Sequence, residues 1–453
     1  METTPHPFTQ KPHRTLLRLS IPVLLSMTAE PVTALVDTGF ISSLGVEPLA
    51  ALGVGTSALS SLFWVFNFLG IATQTETAQR HGREEMEHVR RAAGMALILA
   101  AGIGLLLILG VSPFVDQLAG LLGSSGRVRV LAGEYMQIRL LGAPAVLMML
   151  AAFGSLRGLQ DMRTPLWIAV GVNTMNLILD WLLVFGRGPV PALGVAGSAA
   201  ASTISQWAGA IAVLVILTRK PGLERPRHFQ EVRALLRVGW DLFARTALLN
   251  LFLLFTTRSS NQIGAEAGAA HQVIRQVYVF TSLTLDALGM TVQTLVGYFF
   301  GRGELGRMKQ AARISVAWGV GTGVLIGLLM WMGRNLVISL LVPLSSVSVF
   351  LTAWAISSLS QPLSAAAFLT DGIHWGTGDY RFLRNAMFAA SIAGVAGIWL
   401  LEQSQTATLK AVWILTGVWV GIRALFGVLR IWPGIGQSVF TETEPAAKYG
   451  SGV

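Results

Sequence analysis

The chain has no cysteine, which excludes disulfides, thiolate metal sites and cysteine nucleophiles. Charge is also scarce. Asp, Glu, Lys and Arg make up 12% of the 453 residues, against roughly 25% in soluble domains. The seven histidines form no ligand-like cluster, so no metal centre is expected. There is no Walker Gly-Lys-Ser/Thr loop, so ATP is not expected as the direct energy source. HExxH and Gly-x-Ser-x-Gly motifs are missing too, so the chain does not read as an enzyme.

Hydrophobic residues make up 53% of the chain, with a mean hydropathy of +0.61. These values place it among all-α polytopic membrane proteins. A helical span needs about 20 mainly apolar residues. Twelve stretches qualify, near 16–43, 48–78, 92–114, 130–156, 165–186, 193–218, 235–260, 267–298, 312–333, 347–373, 383–401 and 409–431. A barrel would show short alternating strands instead. Punctuation such as Arg187-Gly188-Pro189 and Lys220-Pro221-Gly222 marks the connections. The first apolar stretch is too long for a signal h-region, so no removable leader is expected.

The net charge of +10 points to basic cytoplasmic loops rather than to nucleic acid. With the N-terminus inside, 23 of the 33 Lys and Arg fall in cytoplasmic segments, from Lys11 through Arg227 to Lys448. Five remain outside: Arg127, Arg129, Arg187, Arg334 and Lys410. Both termini are therefore expected in the cytoplasm, at a bacterial inner membrane. The tail after Pro433 is polar and expected to lack structure.

The two halves repeat. Leu16-Leu17-Arg18 returns as Leu235-Leu236-Arg237, and Gly45, Glu47, Ala50, Ala51 and Val54 return as Gly264, Glu266, Ala269, Ala270 and Val273. Gly82-Arg83 returns as Gly301-Arg302, and Gly158, Asp161 and Arg163 as Gly376, Asp379 and Arg381. Six spans per half give both halves one orientation, related by a pseudo-twofold axis along the membrane normal. The expected divisions are a tail (1–14), an N-lobe (15–218), a linker (219–234), a C-lobe (235–432) and a second tail (433–453).

Ionisable groups at membrane depth are costly and mark function by default. In span one, Ser26, Glu30, Thr33 and Asp37 share a face, while Pro22 and Pro31 favour a bend or a broken turn. In span five, Asn173, Asn176 and Asp180 share a face. Asp37 facing Asn176 and Asp180 would make a buried carboxylate site able to hold a proton, or Na⁺ through the same oxygens; interhelical glue is the structural alternative for the asparagines. Asp37 has Thr256 at its repeat position, so the lobes differ chemically. In span seven, Asp241 and Arg245 read as an i,i+4 ion pair. Span eight carries His271, Arg275, Tyr278, Ser282 and Asp286 on one face, either lining a wet cavity or pairing with carboxylates such as Asp371. Arg139 is expected to pair within that set. Met27, Met148, Met149, Met175 and Met290 are candidates for a soft substrate wall, with plain packing as the alternative.

Several motifs resemble one family. Ile21-Pro22 through Val36-Asp37-Thr38, Asn173 to Asp180 with Val184-Phe185-Gly186, and Gly194 to Ala199 are similar to the multidrug and toxic compound extrusion (MATE) transporters. Ile138-Arg139-Leu140 with Ala143-Pro144-Ala145, the pair Asp241 and Arg245, Asp371-Gly372 with Gly376, and Arg384 to Met387 resemble its DNA-damage-inducible F (DinF) branch. The resemblance implies twelve helices in two six-helix lobes around a V-shaped cavity. It implies export of cationic or amphipathic drugs in exchange for H⁺ or Na⁺, by a monomer without cofactor. It implies an ion site of Asp37, Asn176 and Asp180, with Thr203 beside them, and Pro22 as the point where span one bends. Glu30 departs from the family pattern. A flippase for a lipid-linked precursor is the alternative, kept by Arg139, Arg245, Arg258 and Arg275. A channel, which would never move its cargo uphill, is a third class.

Overall fold

The computed structural model describes residues 6–187, 190–225, 229–404 and 407–441, without the side chains of 229–232, 234 and 235. Gly188, Pro189, Arg227, Lys448, the side chain of Leu235 and the tail 442–453 lie outside the described residues. Among the described residues every regular element is a helix. The main ones are α1 (Pro12–Ser42), α2 (Val46–Gly82), α3 (Met86–Leu121), α4 (Gly126–Leu140 and Ala143–Gly158), α5 (Arg163–Phe185) and α6 (Gly194–Arg219). They are followed by α7 (Phe229–Ile263), α8 (Ala265–Gly301), α9 (Leu305–Met332), α10 (Val347–Leu359 and Gln361–Thr377), α11 (Tyr380–Gln403) and α12 (Leu409–Ile431).

Ten of these are long and apolar enough to cross a membrane, and α4 makes an eleventh if its 49° bend is one broken span. The bend falls at Leu141-Gly142, just before Pro144. Proline is tolerated in a first helical turn but ends the helix preceding it. The twelfth expected segment, α10, is two helices meeting at Ser360, ahead of Pro362, the first of them apolar but shorter than a span.

The chain divides into two compact units, Leu25–Gly239 and Met1–Leu24 with Trp240–Val453. The division runs inside α1. Pro12–Leu24 therefore groups with the C-terminal unit, and the expected linker with the start of α7 groups with the N-terminal one. The physical reason lies in the packing of the chain start. Phe8 and Leu16 are buried in the same cluster as Leu295, Phe299 and Ile373. Ser20 donates to Thr291 at 3.1 Å, and the Trp318 indole donates to His13 Nδ1 at 2.9 Å.

One expectation is narrowed and another corrected here. The helix α1 is continuous from Pro12 to Ser42, so of the bend or broken turn expected at Pro22 and Pro31 the broken turn does not occur. A proline removes a single donor, and a long helix carries that loss when its neighbouring turns stay bonded. The tail is also not structureless from 433 onward. Arg430 donates to the carbonyls of Ile435 (2.7 Å) and Gln437 (2.8 Å), and Val439 and Phe440 are buried against the Phe8–Phe299 cluster. Two hydrophobic side chains in a polar segment supply that anchor, which composition averages away.

The repeat reappears as backbone geometry. Positive φ occurs at Gly45 and Gly264, at Glu84 and Gly303, and at Gln160 and Gly378, all at offsets of 219 or 218. The helix crossings are copied too. A Cβ on Gly154 would lie 2.3 Å from the carbonyl oxygen of Gly70, and one on Gly372 2.3 Å from that of Gly289. Small residues let the backbones approach this closely. Gly154→Ala and Gly372→Ala are each expected to cost about 1–3 kcal/mol through overpacking. Gly321→Ala, at an open helical position, should leave stability unchanged. Thermal unfolding of the three purified variants checks this, and equal melting for all three would refute the crossing argument.

Candidate functional site

In the N-terminal unit, α5 presents Asn176 and Asp180 one turn apart, both buried, with Asp180 at 0% exposure. The α1 face brings Asp37 to the same place, so that the two carboxyl groups face each other within hydrogen-bonding reach. The Ser198 hydroxyl on α6 lies beside Asp180, while Asp180 and Oδ1 of Asp37 make no hydrogen bond of full geometry to a donor. The Asn176 amide donates to the Ser202 hydroxyl at 3.2 Å, and the Thr203 hydroxyl donates to the Ile138 carbonyl at 3.1 Å. Helix α6 thus closes the site from a third side.

Arg139, near the end of the first segment of α4, acts electrostatically on both Asp37 and Asp180. Its hydrogen bonds go to neutral groups, Gln206 Oε1 at 2.6 Å and the Tyr135 phenol oxygen. The expected pairing of Arg139 with the C-lobe charges is therefore corrected. Its side chain reaches α6, the helix packed against its own. Arg139 also lines a cavity of about 180 Å³ with Glu30, Tyr135, Gln206, Phe63 and Trp64. A second, apolar groove of about 430 Å³ runs between α5 and α6 past Trp167, Met175 and Gly209.

The C-terminal unit is built differently. Asp371 on α10 accepts from Arg245 on α7 and from Arg423 Nη2 on α12, the latter at 2.8 Å. All three side chains are buried. Arg245 lies over the Trp375 ring at 5.2 Å, and Arg423 over Trp419 at 4.7 Å. Asp241 pairs with Arg384 on α11. The expected intrahelical pair of Asp241 with Arg245 is thus replaced by two interhelical ones. Helix spacing makes the first pair geometrically possible, but partners on adjacent helices desolvate and bond both charges at once. Sequence reading did not single out Arg423. Its signal was there, as a lone guanidinium inside an apolar span.

The α8 stripe does not pair with Asp371. His271 meets the Thr257 hydroxyl at 3.3 Å and packs on Trp413, and Tyr278 packs on Trp413 at 6.2 Å. Asp286 lies within electrostatic range of Arg245, Asp371 and Arg423, and Arg275 acts on His271. The methionines are dispersed. Met290 is buried, Met148 and Met149 pack against the Leu97–Leu156 cluster, and Met175 lines the apolar groove.

Against known proteins, the MatE family pattern matches residues 22–182 and 242–400. Protein DETOXIFICATION 44, chloroplastic, of Arabidopsis thaliana is 27% identical, over 92% of this chain and 81% of its own length. DNA damage-inducible protein F of Escherichia coli is 27% identical over 92% of each chain. A crystal structure of MATE in the bent conformation superposes with a TM-score of 0.84 at 19% identity, covering 92% of this chain and 94% of its own, and shares the fold. With both of its halves matched, the chain belongs to the MatE family, multidrug and toxic compound extrusion transporters rather than enzymes.

Proposed function

We propose that the chain is a secondary antiporter that exports cationic or amphipathic organic molecules in exchange for protons, acting as a monomer without cofactor. It would sit in a bacterial inner membrane with both termini in the cytoplasm, on the strength of the Lys/Arg split. One observation carries the coupling: the Asp37 and Asp180 carboxyl groups face each other at membrane depth, with no basic side chain bonded to either. An ionised carboxylate only accepts hydrogen bonds, so two of them bond each other only around a proton. Sodium held by the same oxygens needs at least one carboxylate ionised and further oxygen donors beside it, whereas a single proton suffices to join the pair. Proton exchange at this pair is the simpler reading.

The second reading, a lipid-linked precursor flippase, asks for free guanidinium groups to hold a pyrophosphate. Arg245 is taken up by Asp371 and its charge is buried, which weakens it.

The experiment is export of ethidium by everted vesicles carrying the full chain, with a pH gradient and a Na⁺ gradient imposed separately. The pH gradient alone should drive uphill movement. Driving by Na⁺ alone would replace the proton with sodium, and uphill movement surviving collapse of both gradients would reject antiport.

A further inference from the structure

The cavity beside Arg139 has a composition that the carboxyl pair does not explain. Glu30 enters it from α1, Arg139 and Tyr135 from α4, Gln206 from α6, and Phe63 and Trp64 from the end of the first segment of α2. Glu30 is exposed and has no ion-pair partner among the described residues. An unpaired carboxylate at membrane depth beside aromatic faces suits an organic ammonium, which gains both a counter-charge and cation–π attraction. The cavity's 180 Å³ is below the roughly 300–1,000 Å³ of drug-sized sites, so it would take the charged end of a larger molecule.

The charge balance ties this cavity to the proton site. The charged and titratable groups facing Arg139 are Glu30 and Asp37 from α1, Asp180 from α5, and Tyr135 from its own helix. Helix α6 offers the neutral Gln206. With one proton shared, the Asp37–Asp180 pair carries a single negative charge, which offsets Arg139. Glu30 then stays uncompensated and open to a monovalent cation. A second proton neutralises the pair and strips Arg139 of its counter-charge, and Glu30, a carboxylate lining the same cavity, is then open to it.

We propose that Glu30 holds the ammonium of a monovalent organic cation, and that Arg139 couples proton to substrate by competing with that ammonium for Glu30. This deepens the exchange reading and rests on it. Proton and substrate then exclude each other without sharing a ligand.

The test is ethidium binding to the purified full-length protein by fluorescence anisotropy, at pH 8 and pH 6. Wild type should bind at least about tenfold more tightly at pH 8, a difference of roughly 1.4 kcal/mol. Glu30→Gln should weaken binding at pH 8 at least about tenfold, and Glu30→Asp should recover part of that loss. Arg139→Gln should bring the ratio between the two pH values toward one, whatever its affinity at pH 8. Gel filtration checks that each variant is folded, and the Glu30→Asp and Arg139→Gln arms decide should Glu30→Gln not fold. Wild-type affinity in Glu30→Gln, or a wild-type ratio in Arg139→Gln, overturns the proposal while leaving the exchange reading standing. A wild-type affinity indifferent to pH removes both.

Discussion

Asp37→Asn and Asp180→Asn are each expected to cut proton-driven export by a factor on the order of 10² or more, the scale seen when a positioned proton-transfer group is lost. An asparagine is close in shape to a protonated aspartic acid. Its amide can donate to the remaining carboxylate and fix the site in its one-proton arrangement. The variants should therefore fold, with Asn176 still bonded to Ser202 and Arg139 to Gln206. Asp180 is fully buried and the α1 carboxyl only partly so. Asp180→Asn tests the inner half of the pair, and Asp37→Asn the half from which a proton would enter. Downhill ethidium equilibration should survive in both while uphill movement stops. Vesicle efflux with and without an imposed pH gradient separates the two. Gradient-driven efflux persisting in either variant would show that the pair does not carry the coupling.

Part of this site was legible in the sequence because helix periodicity is strict. Asn176 and Asp180 lie one turn apart, so they must share a face, and the same rule aligned Glu30 with Asp37. The repeat was legible for a related reason. Positions that need an unusual backbone or a close crossing, such as Gly45, Gly264, Gly154 and Gly372, tolerate few residue types and so leave matching marks in both halves. Periodicity does not say which neighbouring helix a face meets. Arg245 was therefore assigned to Asp241, four residues away, when its partner stands on α10, and Arg139 was sent to the other half when its partner stands on α6. Prolines 22 and 31 read as a bend or a broken turn because each removes a donor. Whether a helix breaks there depends on the packing around it, which local sequence does not encode. Val439 and Phe440 were hidden in the same way, since burial of two side chains in a short polar tail depends on a cluster formed by residues near 8, 299 and 311.

Asp371→Leu is expected to destabilise the C-terminal unit by about 3–5 kcal/mol, because it leaves two buried guanidinium groups without their shared carboxylate. Arg245, Asp371 and Arg423 have side-chain exposures of 8%, 7% and 4%, so water cannot replace the lost partner without opening the contacts among α7, α10 and α12. The Nε atoms of both arginines are already without partners, which raises the cost of losing the bonds that remain. Asp286, within electrostatic range of both arginines, recovers only part of the lost attraction, since it bonds neither. The triple replacement Arg245→Met, Asp371→Leu, Arg423→Met removes all three charges together and should restore most of the stability. Melting of the detergent-solubilised variants reads this directly. The same series decides what Asp371 is for. If it is spent on its two arginines, Asp371→Asn lowers the melting temperature, and the folded fraction still exports under a pH gradient. If Asp371 served as a second ion site, Asp371→Asn would leave melting unchanged and stop transport. The wild-type geometry, with both guanidinium groups on one carboxylate, favours the first outcome, in which the C-terminal unit supplies a charge-locked scaffold and the coupling proposed for Asp37 and Asp180 stays in the N-terminal unit.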